Sequence, residues 1–72
     1  MSEETVAPLA EITAPYGREV VLQDVTHESG MRMLRLRIRE GRRFTIMDLD
    51  ADTAIRWGRA MQDWAVEAAE SD

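Results

Sequence analysis

The 72-residue chain has no cysteine and no lysine, one histidine, two prolines and four aromatic residues. The absence of cysteine excludes disulfides and thiolate metal sites together, two of the devices by which short chains offset the entropy of folding. A very well packed core or a second subunit remains. There is no phosphate-binding glycine loop and no nucleophile elbow, and an 8.2 kDa chain has little room for a pocket enclosing a substrate. The sequence therefore reads as non-enzymatic and without a cofactor. No long apolar run occurs, and the opening "MSEETVAPLAEI" is acidic with no basic n-region. Neither a signal peptide nor a membrane anchor is expected, and a cytoplasmic protein is.

Positive charge is unevenly placed. Arg32 to Arg43 holds six arginines against one glutamate, net +5, so the remaining residues carry -10 of a formal total of -5. All nine basic residues are arginine and alanine is abundant, the composition of a GC-rich coding sequence. Arginine at any one position is therefore partly codon bias rather than selection for a planar, bidentate donor.

Residues 1–7 are polar with little periodicity and read as a disordered N-terminal tail, leaving 8–70 as a single domain. Pro8 and Pro15 bracket a short edge strand, Leu9 to Thr13, and "APYG" reads as a turn. "EVVLQDVTHE", Glu19 to Glu28, is a second strand ending at Ser29 and Gly30. Its register is open between a core pair of Val20 and Leu22 and one of Val21 and Val25. In the third strand Leu34, Leu36 and Ile38 alternate with Arg35, Arg37 and Arg39, one face apolar and the other basic. A three-residue loop, Arg39 to Gly41, would pair Leu36 with Phe44, Leu34 with Ile46 and Arg32 with Asp48. A two-residue loop at Glu40 and Gly41 would set Arg37 against Phe44 and mix charge into the core, so the pattern favours the longer loop.

"FTIMDLD" is a fourth strand, and Asp50 is placed to cap a helix with Asp52 in its first turn. Ala54, Trp57, Gly58, Met61, Trp64, Ala65 and Ala68 form an apolar stripe at helical spacing. Glycine costs about 1 kcal/mol inside a helix, so Gly58 on that stripe predicts close packing of helix backbone on the sheet. The expected fold is α+β: an antiparallel four-stranded meander followed by one C-terminal helix packed on one face.

The other sheet face would then carry Met31, Met33, Arg35, Arg37, Arg43, Thr45, Met47 and Leu49. It admits three readings. Arginine stems can lie over apolar neighbours while their heads pair with Glu19, Asp24 or Glu28. Met31, Met33, Met47 and Leu49 can form the face of a homodimer, by stacking, edge pairing or exchange of an element. Arg35, Arg37, Arg39, Arg42 and Arg43 can meet phosphates of single-stranded nucleic acid or a protein partner. Few aromatics are free to stack on bases, and a net acidic chain repels nucleic acid at long range, so association with a second copy or another protein is the favoured reading.

Other motifs carry less. Asp48, Asp50 and Asp52 alternate like the start of an EF-hand loop, but Thr53 and Arg59 stand where glycine and glutamate are required, so helix capping explains them. His27 sits beside a turn, and its sequence neighbours point to the opposite face.

"ITAPYGREV", "SGMRMLRLRIREGRRFTIMDLD" and the tryptophan-bearing helix together resemble a group of bacterial proteins of similar length and unknown function. The likeness spans Ile12 to Ala65 and implies a small, self-associating, strand-rich domain with a C-terminal helix. "RRFTIMDLDADTAIRW" is also similar to the last strand, turn and helix start of the transcriptional coactivator family that binds single-stranded DNA as a dimer. It lacks that family's lysine-glycine pair before the last strand.

Overall fold

A computed structural model describes residues 3–71. Strands β1 (Thr5–Ala14), β2 (Arg18–Thr26), β3 (Arg32–Glu40) and β4 (Arg43–Leu49) are followed by helix α1 (Ala51–Glu70). The strands form one antiparallel sheet in the order β1-β2-β3-β4, so the α+β meander with a C-terminal helix is as expected.

β1 begins earlier than the sequence suggests. Thr5, Val6 and Ala7 pair with Thr26, Val25 and Asp24, which corrects the reading of 1–7 as a tail for all but its first residues; Met1 and Ser2 lie outside the described residues. The stretch has no periodicity of its own, but the long β2 offers it a ladder. Between Pro8 and Ala10 the register shifts, with Leu9 as the extra residue. A bulge beside a proline suits an edge strand, where the missing donor costs no ladder bond.

Each turn fixes its hairpin. β1 and β2 are joined by Pro15–Gly17, in which Tyr16 (φ 65°, ψ 32°) and Gly17 (φ 74°) are both left-handed. His27 and Met31 close the β2–β3 hairpin, the His27 amide donating to the Met31 carbonyl at 2.8 Å, and Gly30 (φ 94°) takes the position that needs positive φ. The β3–β4 loop is Gly41-Arg42, flanked by the pair Glu40 and Arg43.

That last loop corrects the expected pairing. Leu34 faces Leu49, Leu36 faces Met47, Arg35 faces Asp48, Arg37 faces Ile46 and Arg39 faces Phe44. Gly41 at φ 62° occupies the first central position, where a tight two-residue hairpin places glycine. Relative to the three-residue loop every β4 side chain changes face. Two gains decide the register: the acid of Asp48 comes opposite Arg35, and Met47 and Leu49 join Leu34, Leu36 and Ile38.

The helix starts as expected, with the Asp50 carboxylate accepting from the Thr53 amide at 2.9 Å. It does not cover the sheet. Its main contact is with β3 and none of its residues is buried; Trp64 is 71% and Met61 61% exposed. A Cβ built on Gly58 would meet nothing within 4 Å, so the close approach expected there is not made inside the chain. Asp50 follows Leu49 directly, and α1 leaves the sheet edge without a linker in which to turn back. The molecule is accordingly long and thin, 52 × 30 × 15 Å. Among the described residues only Val25 and Leu49 are buried.

Tyr16 holds a bulky side chain in a conformation that favours glycine, a strain of about 1 to 3 kcal/mol. Replacing Tyr16 by glycine is expected to raise the unfolding free energy by about 1 kcal/mol once the greater freedom of unfolded glycine is subtracted, read as a higher denaturant midpoint with unchanged slope.

Candidate functional site

The register divides the side chains into two unlike faces. One carries Ala10 and Ile12 from β1, Val20 and Leu22 from β2, Leu34, Leu36 and Ile38 from β3, and Met47 and Leu49 from β4. Its charges sit at the two ends, as an Arg18–Glu40 ion pair at one and an Arg32–Asp24 pair (2.7 Å) at the other. Between them the face is apolar, and Ile12 and Met47 are about half exposed. Both pairings left open for β2 are in use, Val20 and Leu22 on this face, Val21 and Val25 on the other.

The second face is polar and internally paired. Arg35 grips Asp48 through two hydrogen bonds, Nε to Oδ1 at 2.8 Å and Nη2 to Oδ2 at 3.1 Å, and reaches Glu4 at 3.2 Å. The same Glu4 lies 3.2 Å from His27 Nδ1. Directly across the β2–β3 ladder Arg39 pairs with Glu19 at 2.8 Å. Arg37 has no carboxylate within ion-pair distance among the described residues and instead lies over the Phe44 ring, 5.7 Å from its centre.

The arginine strip is thus not one surface. Arg35, Arg37 and Arg39 lie on the polar face, Arg42 lies in the β3–β4 turn, and Arg43 is on the apolar face at its end. The four apolar candidates are also separated. Met47 and Leu49 are on the apolar face, Met33 is on the polar one and half-buried, and Met31 precedes β3. Sequence reasoning missed Glu4 as the partner of both Arg35 and His27, because it lay in the stretch read as a tail. It also missed Phe44 and Ile46 as neighbours of the arginines. The charge match of Asp48 with Arg35 was the available signal for that register.

The helix contributes a third surface. Trp57, Met61 and Trp64 lie on one side of α1, with Ala54, Gly58, Ala65 and Ala68, while Asp52, Arg56, Arg59, Asp63, Glu67 and Glu70 fall in the opposite half at 3.6 residues per turn.

A family model described as "Family of unknown function (DUF6967)" matches residues 3–67. The chain belongs to the DUF6967 family. The match takes in all four strands and most of α1, so the two faces and the helix stripe are parts of one family domain. No curated protein and no solved structure matches it. Among the described residues of this DUF6967 chain no helix is long and apolar enough to cross a membrane.

The Arg35–Asp48 pair sets an acid dependence. Hydrogen bonding from Arg35, assisted by its charge, holds the Asp48 carboxyl below its ordinary 3.8 against an opposing effect of burial; the Thr53 amide and hydroxyl lower Asp50 likewise. A carboxyl with a depressed folded pKa contributes stability that is complete above the unfolded pKa and is lost as pH falls through the folded one. Stability is therefore expected to be level above pH 5 and to fall below about pH 4. Asp48→Asn should lower the denaturant midpoint at pH 7 and make the acid loss shallower. A variant with the wild-type acid profile would remove Asp48 from the account.

Proposed function

We propose that this DUF6967 chain is a non-enzymatic association module that works as a homodimer, acting as an accessory or protein-binding factor. The observation that carries the reading is that one chain exposes both an apolar sheet face and an amphipathic helix able to cover such a face. In the dimer the Trp57–Met61–Trp64 stripe of each copy lies on the Leu22, Leu36, Ile38 and Met47 surface of the other. Gly58 on the stripe lets the two backbones come close, and the charged half of the helix stays in water.

Area supports the same reading. A compact monomer of 8.2 kDa would expose about 4,500 Å². The chain exposes 6117 Å², an excess of about 1,600 Å² over that expectation. Covering this on two copies removes about 3,200 Å² in total, within the range of obligate homodimers. Disulfides are unavailable to a chain with no cysteine, so the second copy supplies the cover that the chain's own core does not.

Nucleic-acid binding across the arginine-rich sheet face has less support. Arg35 and Arg39 spend their donors on Asp48, Glu4 and Glu19, and Arg43 is on the opposite side.

Two measurements test the dimer. Sedimentation equilibrium should give twice the chain mass, with the thermal midpoint rising with protein concentration as it does when folding and assembly are coupled. Trp64→Ala should cost about 3 to 5 kcal/mol if Trp64 packs against a partner. A stable monomer that tolerates Trp64→Ala without loss would contradict the reading. Gly58→Ala separates the same cases: it should stabilise a free helix by about 1 kcal/mol but weaken a dimer in which Gly58 faces the partner's sheet.

A further inference from the structure

The β1–β2 and β3–β4 turns lie at the same end of the sheet, two strand spacings or about 10 Å apart. That end gathers two exposed aromatic rings and most of the unpaired positive charge. Tyr16 is 93% and Phe44 57% exposed. Each ring has a guanidinium on it, Arg18 at 5.8 Å from the Tyr16 centroid and Arg37 at 5.7 Å from that of Phe44. Arg37, Arg42 and Arg43 have no carboxylate within ion-pair distance among the described residues.

The local charge differs from that of the chain. Arg18, Arg37, Arg39, Arg42 and Arg43 stand at this end against Glu19, Glu40 and Glu11, the last in the same cross-strand row as Arg37, net +2, while the chain as a whole carries -5. Glu19 and Glu40 are already engaged, by Arg39 and Arg18. The acids of α1 and the Glu4–Asp48 cluster lie elsewhere. At physiological ionic strength charges more than about 8 Å away are largely screened, so a ligand at the turns meets the positive end rather than the net charge.

We propose that the paired hairpin ends form a binding site for single-stranded nucleic acid, with Tyr16 and Phe44 stacking on unpaired bases and Arg37, Arg42 and Arg43 meeting phosphates. Arginine alone would suit any polyanion. The rings distinguish the ligand: the negative π face of an exposed ring disfavours the carboxylates of an acidic peptide, whereas every base has a flat face that stacks on it. A duplex keeps its bases inside the stack, so the rings select single strands. The left-handed backbone at Tyr16 fits this reading, because it keeps a strained, bulky residue with its ring in water at the tip of a turn.

The site differs from the sheet-face strip suggested by sequence alone. It omits Arg35, which is held by two carboxylates, and gains Tyr16, Arg18 and Phe44. It does not depend on the homodimer.

The test is fluorescence anisotropy of labelled mixed-sequence single-stranded DNA and RNA oligonucleotides with the full chain, its mass measured in the same samples. The wild type should bind saturably at low salt, with log affinity falling against log salt at a slope of about -2, as three phosphate contacts on a single strand require. Tyr16→Gly fits the backbone at that position and keeps the fold, and it should weaken binding about 5- to 100-fold through loss of one stacked base. R42A/R43A should bring the slope to about -0.7, and R56A on the helix should change nothing. Three results would each overturn the site: no binding by the folded wild type at low salt, Tyr16→Gly binding as well as wild type, or polyglutamate displacing the oligonucleotide as readily as unlabelled strand does. A monomer that binds would keep this site and remove the dimer, and a dimer that does not bind would do the reverse.

Discussion

The structure depends on an apolar sheet face that its own helix leaves uncovered. Nine side chains from four strands, from Ile12 on the outer strand to Met47 on the other edge, make this face continuous, with ion pairs only at its ends. Burying apolar surface is the main favourable contribution to folding, and here only Val25 and Leu49 are buried among the described residues. A four-stranded sheet has enough ladder bonds to hold its shape, but those bonds replace bonds to water, and each adds only about 0.5 to 1.5 kcal/mol net. Stability has to come from whatever closes the face. The helix has the right stripe and, at about 30 Å for its 20 residues, the length to lie along a strand. It starts at the edge strand and leaves this face open, and in the proposed dimer the sheet it covers is that of the second copy.

The opposite face is closed by charge. Arg35, Asp48, Glu4 and His27 form a linked cluster at one end and Arg39 with Glu19 a direct cross-strand pair. Exposed pairs of this kind add little individually. Their larger effect is on register, because a one-residue slip would place Arg35, Arg37 and Arg39 among Met47 and Leu49. The acidic composition and the arginine-rich strand are therefore compatible: much of the strip is answered by carboxylates from β2, β4 and Glu4 just before β1, and what is not answered collects at the hairpin ends.

Much of the fold was legible in the sequence. The alternation of β3, the capping aspartate at 50, the helical spacing of Trp57, Met61 and Trp64 and the turn residues at 15–17 and 29–30 each have a local physical cause, and each element is present. What was not legible depended on contacts distant in the chain. β1 extends through Thr5 to Ala7 because β2 pairs with it, which no local pattern in "TVA" announces. The β3–β4 loop is one residue shorter than expected because Asp48 opposite Arg35 and Met47 beside Leu36 outweigh the preference for placing Phe44 and Ile46 under the helix. That preference assumed a helix folded over its own sheet. Since α1 does not cover that sheet, Phe44 and Ile46 are free to sit among arginines. The separation of Met33 from Met47 and Leu49 and the emergence of Tyr16 and Phe44 as exposed rings follow from the same two facts.

Contacts between the helix stripe and the apolar face are the most direct test. In a sample mixed from isotope-labelled and unlabelled chains, filtered nuclear Overhauser spectra report only contacts between copies. Cross-peaks are expected from the Trp57, Met61 and Trp64 side chains of one copy to Leu36, Ile38 and Met47 methyls of the other. A monomeric sample in which those contacts arise within one chain, or a folded one in which they are absent, would contradict this packing between copies.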